Sequence, residues 1–175
     1  MVGWSDPPAD LTDQDAVQRL AQFLPAAASV VSSDLLRARA TADAIAGPRQ
    51  RLPDTPDLRE INFGDWELKT FADVDEVQPD LIRDFLENPG DVRAPDGESW
   101  NQVRTRVDRS VDTLINLHRG HDLILVAHFG VILSQLQRAR DISANAAFAH
   151  KIDNLSVTRM EFDGAWVVDL INHVP

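Results

Sequence analysis

Leu123-Ile124-Leu125-Val126-Ala127-His128-Phe129-Gly130 decides how this chain reads. Four consecutive aliphatic residues are what a short strand buried on both faces requires, because helices cover either side of a parallel sheet. Gly120 ends the segment before it, and from Val131 to Arg138 the pattern turns helical. His128 therefore stands where a strand hands over to a helix, at the carboxyl end of the strand, where open α/β sheets place their ligands. A second such junction lies upstream. Ser29-Val30-Val31-Ser32 is a short β-type run, and Leu35 to Ala46 is an alanine-rich helix stopped by Gly47-Pro48. Arg37 falls in the first turn of that helix, near backbone N–H groups suited to an anion.

The flanking segments extend the pattern. Asp10 or Thr12 caps a helix with Val17, Leu20, Ala21 and Leu24 on one face, closed by Pro25. Prolines, Gly64 and scattered charges make Leu52 to Thr70 an extended loop, and Pro79 to Asn88 is a short helix ended by Pro89-Gly90. Apolar residues at Val103, Val107, Val111, Leu114 and Leu117 give a helix over Trp100 to Leu117. Ser156 to Phe162 and Trp166 to Ile171, separated by Asp163-Gly164, form a hairpin. Helices alternating with short apolar strands imply an α/β fold, a mostly parallel sheet with helices on both faces, in one domain over residues 1–175.

Composition narrows the function. A chain of 175 residues, 43% hydrophobic and 26% charged, supports one ordinary core. No apolar run approaches the ~20 residues of a membrane crossing. The start, Met1-Val2-Gly3-Trp4-Ser5-Asp6-Pro7-Pro8, lacks the cationic and apolar regions of a secretory leader, so a cytoplasmic location is expected. With no cysteine, thiolate ligands and a cysteine nucleophile are excluded. The net charge of -11 argues against nucleic acid and anionic membranes as partners. A small anionic ligand remains compatible, because screening over roughly 8 Å lets a few arginines dominate a pocket. Oligomeric state is not legible.

An arginine and a histidine at two strand-to-helix junctions suit the binding of a phosphoryl group, whose oxygens redistribute charge in the transition state. The loop Leu58-Arg59-Glu60-Ile61-Asn62-Phe63-Gly64-Asp65-Trp66-Glu67 adds a carboxylate among apolar side chains, a setting that raises a glutamate's pKa and fits it as a general acid. Taken singly, each has a plain structural use: Arg37 as an ion-paired side chain, Glu60 as a surface charge, His128 as a satisfied strand-end histidine. His118-x-x-His121 is a short pair without further placed ligands, and Asp73-Val74-Asp75-Glu76 reads as an acidic surface, so neither metal nor cofactor is expected. Trp66 and Trp100 are candidate pocket walls, although core packing is the commoner use of tryptophan.

Taken together the blocks are specific. Ser33-x-Leu35-x-Arg37-Ala38-x-x-Thr41-Ala42, Leu58-x-Glu60-x-x-Phe63-Gly64-x-Trp66-Glu67, Gly97-Glu98-Ser99 and Val126-Ala127-His128-x-Gly130 follow one another in an order and spacing that resembles the histidine phosphatase, or phosphoglycerate mutase-like, superfamily. Asn154-Leu155-Ser156-Val157 and Trp166 to Asn172 resemble its closing strands. The resemblance implies that Arg37 binds the phosphoryl group, His128 stabilises its oxygens, Glu60 moves the proton, and Gly97-Glu98-Ser99 shapes the rim, with Ser99 and Phe129 as substrate contacts. It implies a small phosphorylated substrate and, if the chain is extended upstream, a phosphomonoesterase acting through a phosphohistidine, the alternatives being an inactive pseudophosphatase that binds such a ligand and a mutase-like phosphotransferase. The family's nucleophile is a histidine in an Arg-His-Gly motif at the end of a first strand, and no such motif occurs here. The expectation is that this chain begins after that strand. His118, His121, His150 and His173 lie outside the strand-to-helix junctions and do not replace the nucleophile. Phe129 also departs from the family, which places a small residue after the histidine.

Overall fold

A computed structural model describes the whole chain, Met1 to Pro175. In chain order the elements are α1 (Gln14–Phe23), β1 (Ser29–Ser32), α2 (Leu36–Ala46), β2 (Gln50–Arg51), α3 (Phe71–Val77), α4 (Pro79–Glu87), α5 (Trp100–Leu117), β3 (Leu123–Val126), α6 (Phe129–Arg140), α7 (Ala144–Phe148), β4 (Val157–Phe162) and β5 (Trp166–His173). β1 lies between β2 and β3 in a parallel sheet, and β4 and β5 form a separate antiparallel hairpin.

Alternation along β1 builds the two sides of the core. Val30 packs with Val17 and Leu20 of α1, Ala42 and Ile45 of α2 and Ile124 of β3. Its neighbour Val31 faces the other way, into Val103, Val107 and Val111 of α5 and Val131 of α6. Helices thus cover both faces, and each such buried aliphatic side chain contributes about 1.5–3 kcal/mol relative to exposure. The hairpin closes over α6, where Met160, Val168 and Ile171 pack on a cluster of Trp100, Leu133 and Leu136.

Some local expectations change. Asp13, not Asp10 or Thr12, caps α1, accepting from the Ala16 N–H, while the Asp10 carboxylate accepts from the N–H and hydroxyl of Thr12 in the preceding turn. The stretch from Leu52 to Thr70 is interrupted by single 3-10 turns at Pro56–Leu58 and Gly64–Trp66. Asp73-Val74-Asp75-Glu76 is not only surface: Thr70 and Asp73 form a capping box that starts α3, and Val74 is buried. β3 packs on both faces, with Ile124 and Val126 toward α1 and α2 and Leu125 toward α5 and α6, but less deeply than its aliphatic run suggests. It pairs with β1 alone, and only Ile124 of its four residues is fully covered.

Candidate active site

The parallel register of β1 and β3 sets Ser32 opposite Val126, and the Ser33 N–H donates to the Val126 carbonyl at 3.0 Å. Both chains leave the sheet at the same end, so the segment carrying Arg37 and the one carrying His128 emerge side by side. Arg37 is the second residue of α2. Its guanidinium donates from Nη1 to the Ser5 carbonyl at 2.9 Å and from Nη2 to the Gly3 carbonyl at 2.7 Å, which leaves three of its five N–H donors. The anion expected at the start of this helix is already supplied by the protein: Asp6 Oδ1 accepts from the Leu36 N–H at 2.7 Å.

His128 is the extended residue that precedes α6, and it is 8% exposed. Its Nε2 is buried with no hydrogen-bond partner in the protein. Burial first, then the positive charges of Arg37 and Arg106, push its pKa down to about 3, with Asp34 opposing weakly. The imidazole is therefore neutral at pH 7.

Glu60 reaches the same place from the loop after β2. Its Oε1 accepts from the Ile61 N–H at 2.9 Å, and the Gly130 N–H is shared between Oε1 and Oε2 at 3.1 Å each. Burial raises its pKa and outweighs both the backbone bonds and the nearby charges of Arg37 and Arg106. Oε2, with only half of one N–H, is the oxygen with room for a proton. Gly130 permits this approach, since a Cβ there would lie 2.4 Å from Glu60 Oε1 and 3.7 Å from Trp100 Cζ3.

The support beneath Glu60 is Arg106 of α5, which sequence reasoning missed. It pairs with Glu98 through Nε to Oε1 at 2.8 Å and Nη2 to Oε2 at 2.9 Å. The same guanidinium donates to the carbonyls of Asp57, Arg59 and Glu60 at 2.9, 2.7 and 2.9 Å. Glu98 also accepts from the Asn62 N–H at 3.0 Å, so Gly97-Glu98-Ser99 acts on the pocket by pinning the loop that carries Glu60. A second unforeseen residue is Glu67. Its carboxylate gathers the N–H groups of Gly3, Trp4, Ser5 and Phe63 and the Ser5 hydroxyl, holding the N-terminal segment against the loop. Gly3 fits there because it has no Cβ, which would stand 2.0 Å from the Ile61 carbonyl oxygen. Burial works to raise the Glu67 pKa, and the Ser5 hydroxyl with the N–H groups of Trp4, Ser5 and Gly3 reverses this, so the carboxyl sits below its usual range.

Glu60 thus meets the backbone two residues after His128, at the junction beside the segment that carries Arg37. Ser99 is buried and its side chain caps α5, accepting from the Gln102 N–H. Phe129 opens α6 beside His128 and is 43% exposed. Trp66 is core, T-shaped against Phe85 with its Nε1 donating to Gln78 at 2.9 Å. Trp100 is also buried, but its ring edge borders Gly130. The other imidazoles lie elsewhere: His118 and His121 near the opposite end of β3, His150 after α7, and His173 against the Phe23 ring at 4.7 Å. No three His, Asp or Glu side chains are gathered in the way a metal site would require.

Known proteins carry the same arrangement of chain. A solved structure of Bacillus stearothermophilus YhfR superposes with a TM-score of 0.91 at 27% identity, over 100% of this chain and 89% of that one. A mycobacterial glucosyl-3-phosphoglycerate phosphatase, Rv2419c, gives a TM-score of 0.82 at 25% identity, over 100% and 92%. In sequence, the bifunctional protein Rv2228c of Mycobacterium tuberculosis is 36% identical over 150 residues, 83% of this chain and 40% of that protein. Phosphoglycerate mutase-like protein 4 of Arabidopsis thaliana is 35% identical over 147 residues, 81% of this chain and 62% of that protein. The match thus spans less than two thirds of these two relatives. No helix is long and apolar enough to cross a membrane. The model of the histidine phosphatase superfamily, branch 1, matches residues 1–173, and the chain belongs to that family.

Proposed function

We propose that this chain is the phosphate-binding and proton-transferring body of a cytoplasmic phosphomonoesterase acting on a small phosphorylated substrate. The observation that carries the reading is the buried, unpartnered Nε2 of a neutral His128, beside a cation, Arg37, and a carboxyl group, Glu60, whose pKa is raised. An N–H at Nε2 donates to a phosphoryl oxygen, and the free donors of Arg37 take the others. Glu60, protonated on Oε2, gives its proton to the departing ester oxygen as the P–O bond breaks and a P–N bond forms to a nucleophilic imidazole. The resulting carboxylate then takes a proton from the water that cleaves the P–N bond, which regenerates the acid.

The nucleophilic imidazole is proposed to lie on an upstream segment seated along the unpaired edge of β3, the edge nearest the His128 junction that β1 does not occupy. The similarity to the glucosyl-3-phosphoglycerate phosphatase supports a phosphatase, and the similarity to phosphoglycerate mutase-like protein 4 keeps a mutase-like phosphotransferase as the alternative. The absence of an Arg-His-Gly motif among these 175 residues favours a second reading for the chain by itself: capture of a phosphorylated ligand without turnover.

Calorimetry with inorganic phosphate and vanadate, beside turnover of an aryl phosphate, tests both. Binding with turnover only when an in-frame upstream strand bearing a histidine is present supports the first reading. Turnover by the 175-residue chain would refute the need for an outside nucleophile, and no binding to either form would sink both readings.

A further inference from the structure

We infer that Phe129 and Phe148 form an aromatic shelf that selects phosphomonoesters whose alcohol carries a flat, uncharged ring next to the ester oxygen. The inference rests on the phosphate-binding reading above and adds to it a substrate class.

The shelf is built on a fixed base. Trp100 is buried, and its Nε1 donates to Gln137 Oε1 at 2.8 Å. Phe148, at the end of α7, packs on Trp100 with ring centroids 4.6 Å apart, and Phe129 stands 6.3 Å from Phe148. Both separations lie in the range of favourable ring contact. The outer two rings are nevertheless 43% and 40% exposed. They are rings held in place and left partly open to water.

Their position makes that exposure informative. Phe129 is the residue after His128, and the Trp100 ring edge borders the Gly130 position that touches Glu60. The shelf is therefore continuous with the site where the ester oxygen would receive its proton.

Charge defines the occupant. In a chain of net charge -11, the stretch from Ile142 to Ala149 contains no Asp, Glu, Lys or Arg. The Phe148 side of the shelf offers no cation of its own to a second anionic group, such as the carboxylate of a phosphoglycerate. It offers apolar ring surface. An aryl or benzylic phosphate places its dianion toward Arg37 and its ring against Phe129 and Phe148. A polyhydroxylated alcohol would lose hydrogen bonds to water there without replacing them.

The affinities of inorganic phosphate, glycerol 3-phosphate and phenyl phosphate, measured by calorimetry, test the inference. Phenyl phosphate is expected to bind about tenfold more tightly than the other two, and Phe129→Ala and Phe148→Ala are each expected to reduce the phenyl-to-inorganic phosphate affinity ratio about three- to tenfold. Phe129→Leu should retain part of that ratio. If wild type binds inorganic phosphate but the ratio is near one, or if neither alanine variant lowers it, the shelf is wrong and the phosphate site stands. If wild type binds no phosphate at all, the functional reading fails and the shelf falls with it. Should Phe148→Ala not fold, the half-exposed Phe129 still decides the question.

Discussion

The Glu60 carboxylate and the Gly130 N–H meet at 3.1 Å through both carboxylate oxygens, joining the loop after β2 to the first turn of α6. The contact exists because residue 130 has no side chain. In Gly130→Ala the new methyl would lie 2.4 Å from Oε1, so Glu60 must swing away. Alanine suits a helix better than glycine by about 1 kcal/mol, which offsets part of the lost contact. The expected outcome is a thermal midpoint within a few degrees of wild type and a Glu60 pKa lowered toward the ordinary carboxylate range. Carbon NMR of labelled glutamate across a pH titration reads this directly, and an unmoved Glu60 resonance would count against the arrangement.

His128 should weaken the fold toward acid. Its folded pKa, about 3, lies below the unfolded value near 6.5, so the unfolded chain binds the extra proton between them. The contribution is fully present above about pH 6.5 and is lost as pH falls toward 3, a swing on the order of 5 kcal/mol at ~1.4 kcal/mol per pH unit. Glu60 works in the opposite sense. Its raised pKa gives stability that is present below the usual carboxylate value and lost as pH rises through the folded one. Between pH 8 and pH 4 the urea midpoint of wild type should drop relative to that of His128→Asn. Equal acid slopes in the two proteins would show that His128 is not buried in neutral form.

How much of this was legible depended on how far each signal extends along the chain. Ser29–Ser32, Leu123–Val126 and Trp100–Leu117 appear where the apolar pattern puts them, because their periods or runs are unbroken. α3 and α7 are seven and five residues long, too short to show a period, and α3 hides its one buried residue, Val74, among acids. The half-burial of β3 depends on which strand lies beside it, and a run of aliphatics does not carry that. Arg37 and His128 stand out in the sequence because residue type and junction together narrow the choice, and Glu60 because its block, Leu58 to Glu67, matches the family pattern. Arg106 and Glu67 do not stand out, because most of their partners are backbone carbonyls and N–H groups of distant segments, which carry no residue-type signal.

Arg37 should tolerate neither loss of charge nor loss of shape. Two of its N–H donors are spent on the carbonyls of Gly3 and Ser5, and the remaining ones keep a fork that an ammonium group cannot reproduce. Arg37→Met is expected to weaken inorganic phosphate at least tenfold by calorimetry, and Arg37→Lys to recover little of it. Because the Arg37 charge also helps to lower the His128 pKa, the imidazole of Arg37→Met should titrate at higher pH, which proton NMR follows. A lysine variant with wild-type affinity would show that only the charge matters.

Glu67 is expected to govern phosphate affinity without meeting the ligand. Its Oε1 accepts from Trp4 at 2.8 Å and Phe63 at 3.1 Å, and its Oε2 from the Ser5 hydroxyl at 2.6 Å and the N–H groups of Gly3 and Ser5 at 3.1 Å each. The segment held in this way carries the two carbonyls that seat Arg37. Glu67→Gln replaces one acceptor oxygen by a donor that faces other donors, a loss of about 2–3 kcal/mol on the scale of hydrogen bonds to charged groups. The lowered Glu67 pKa means that this stability is present above the usual carboxylate value and disappears as pH falls through the folded one. Hydrogen exchange at Gly3, Trp4 and Ser5 should accelerate in Glu67→Gln, and inorganic phosphate affinity should fall several-fold as Arg37 loses its fixed direction. Faster exchange with undiminished affinity would show that Arg37 keeps its orientation through α2 alone and that the N-terminal segment is only a cover.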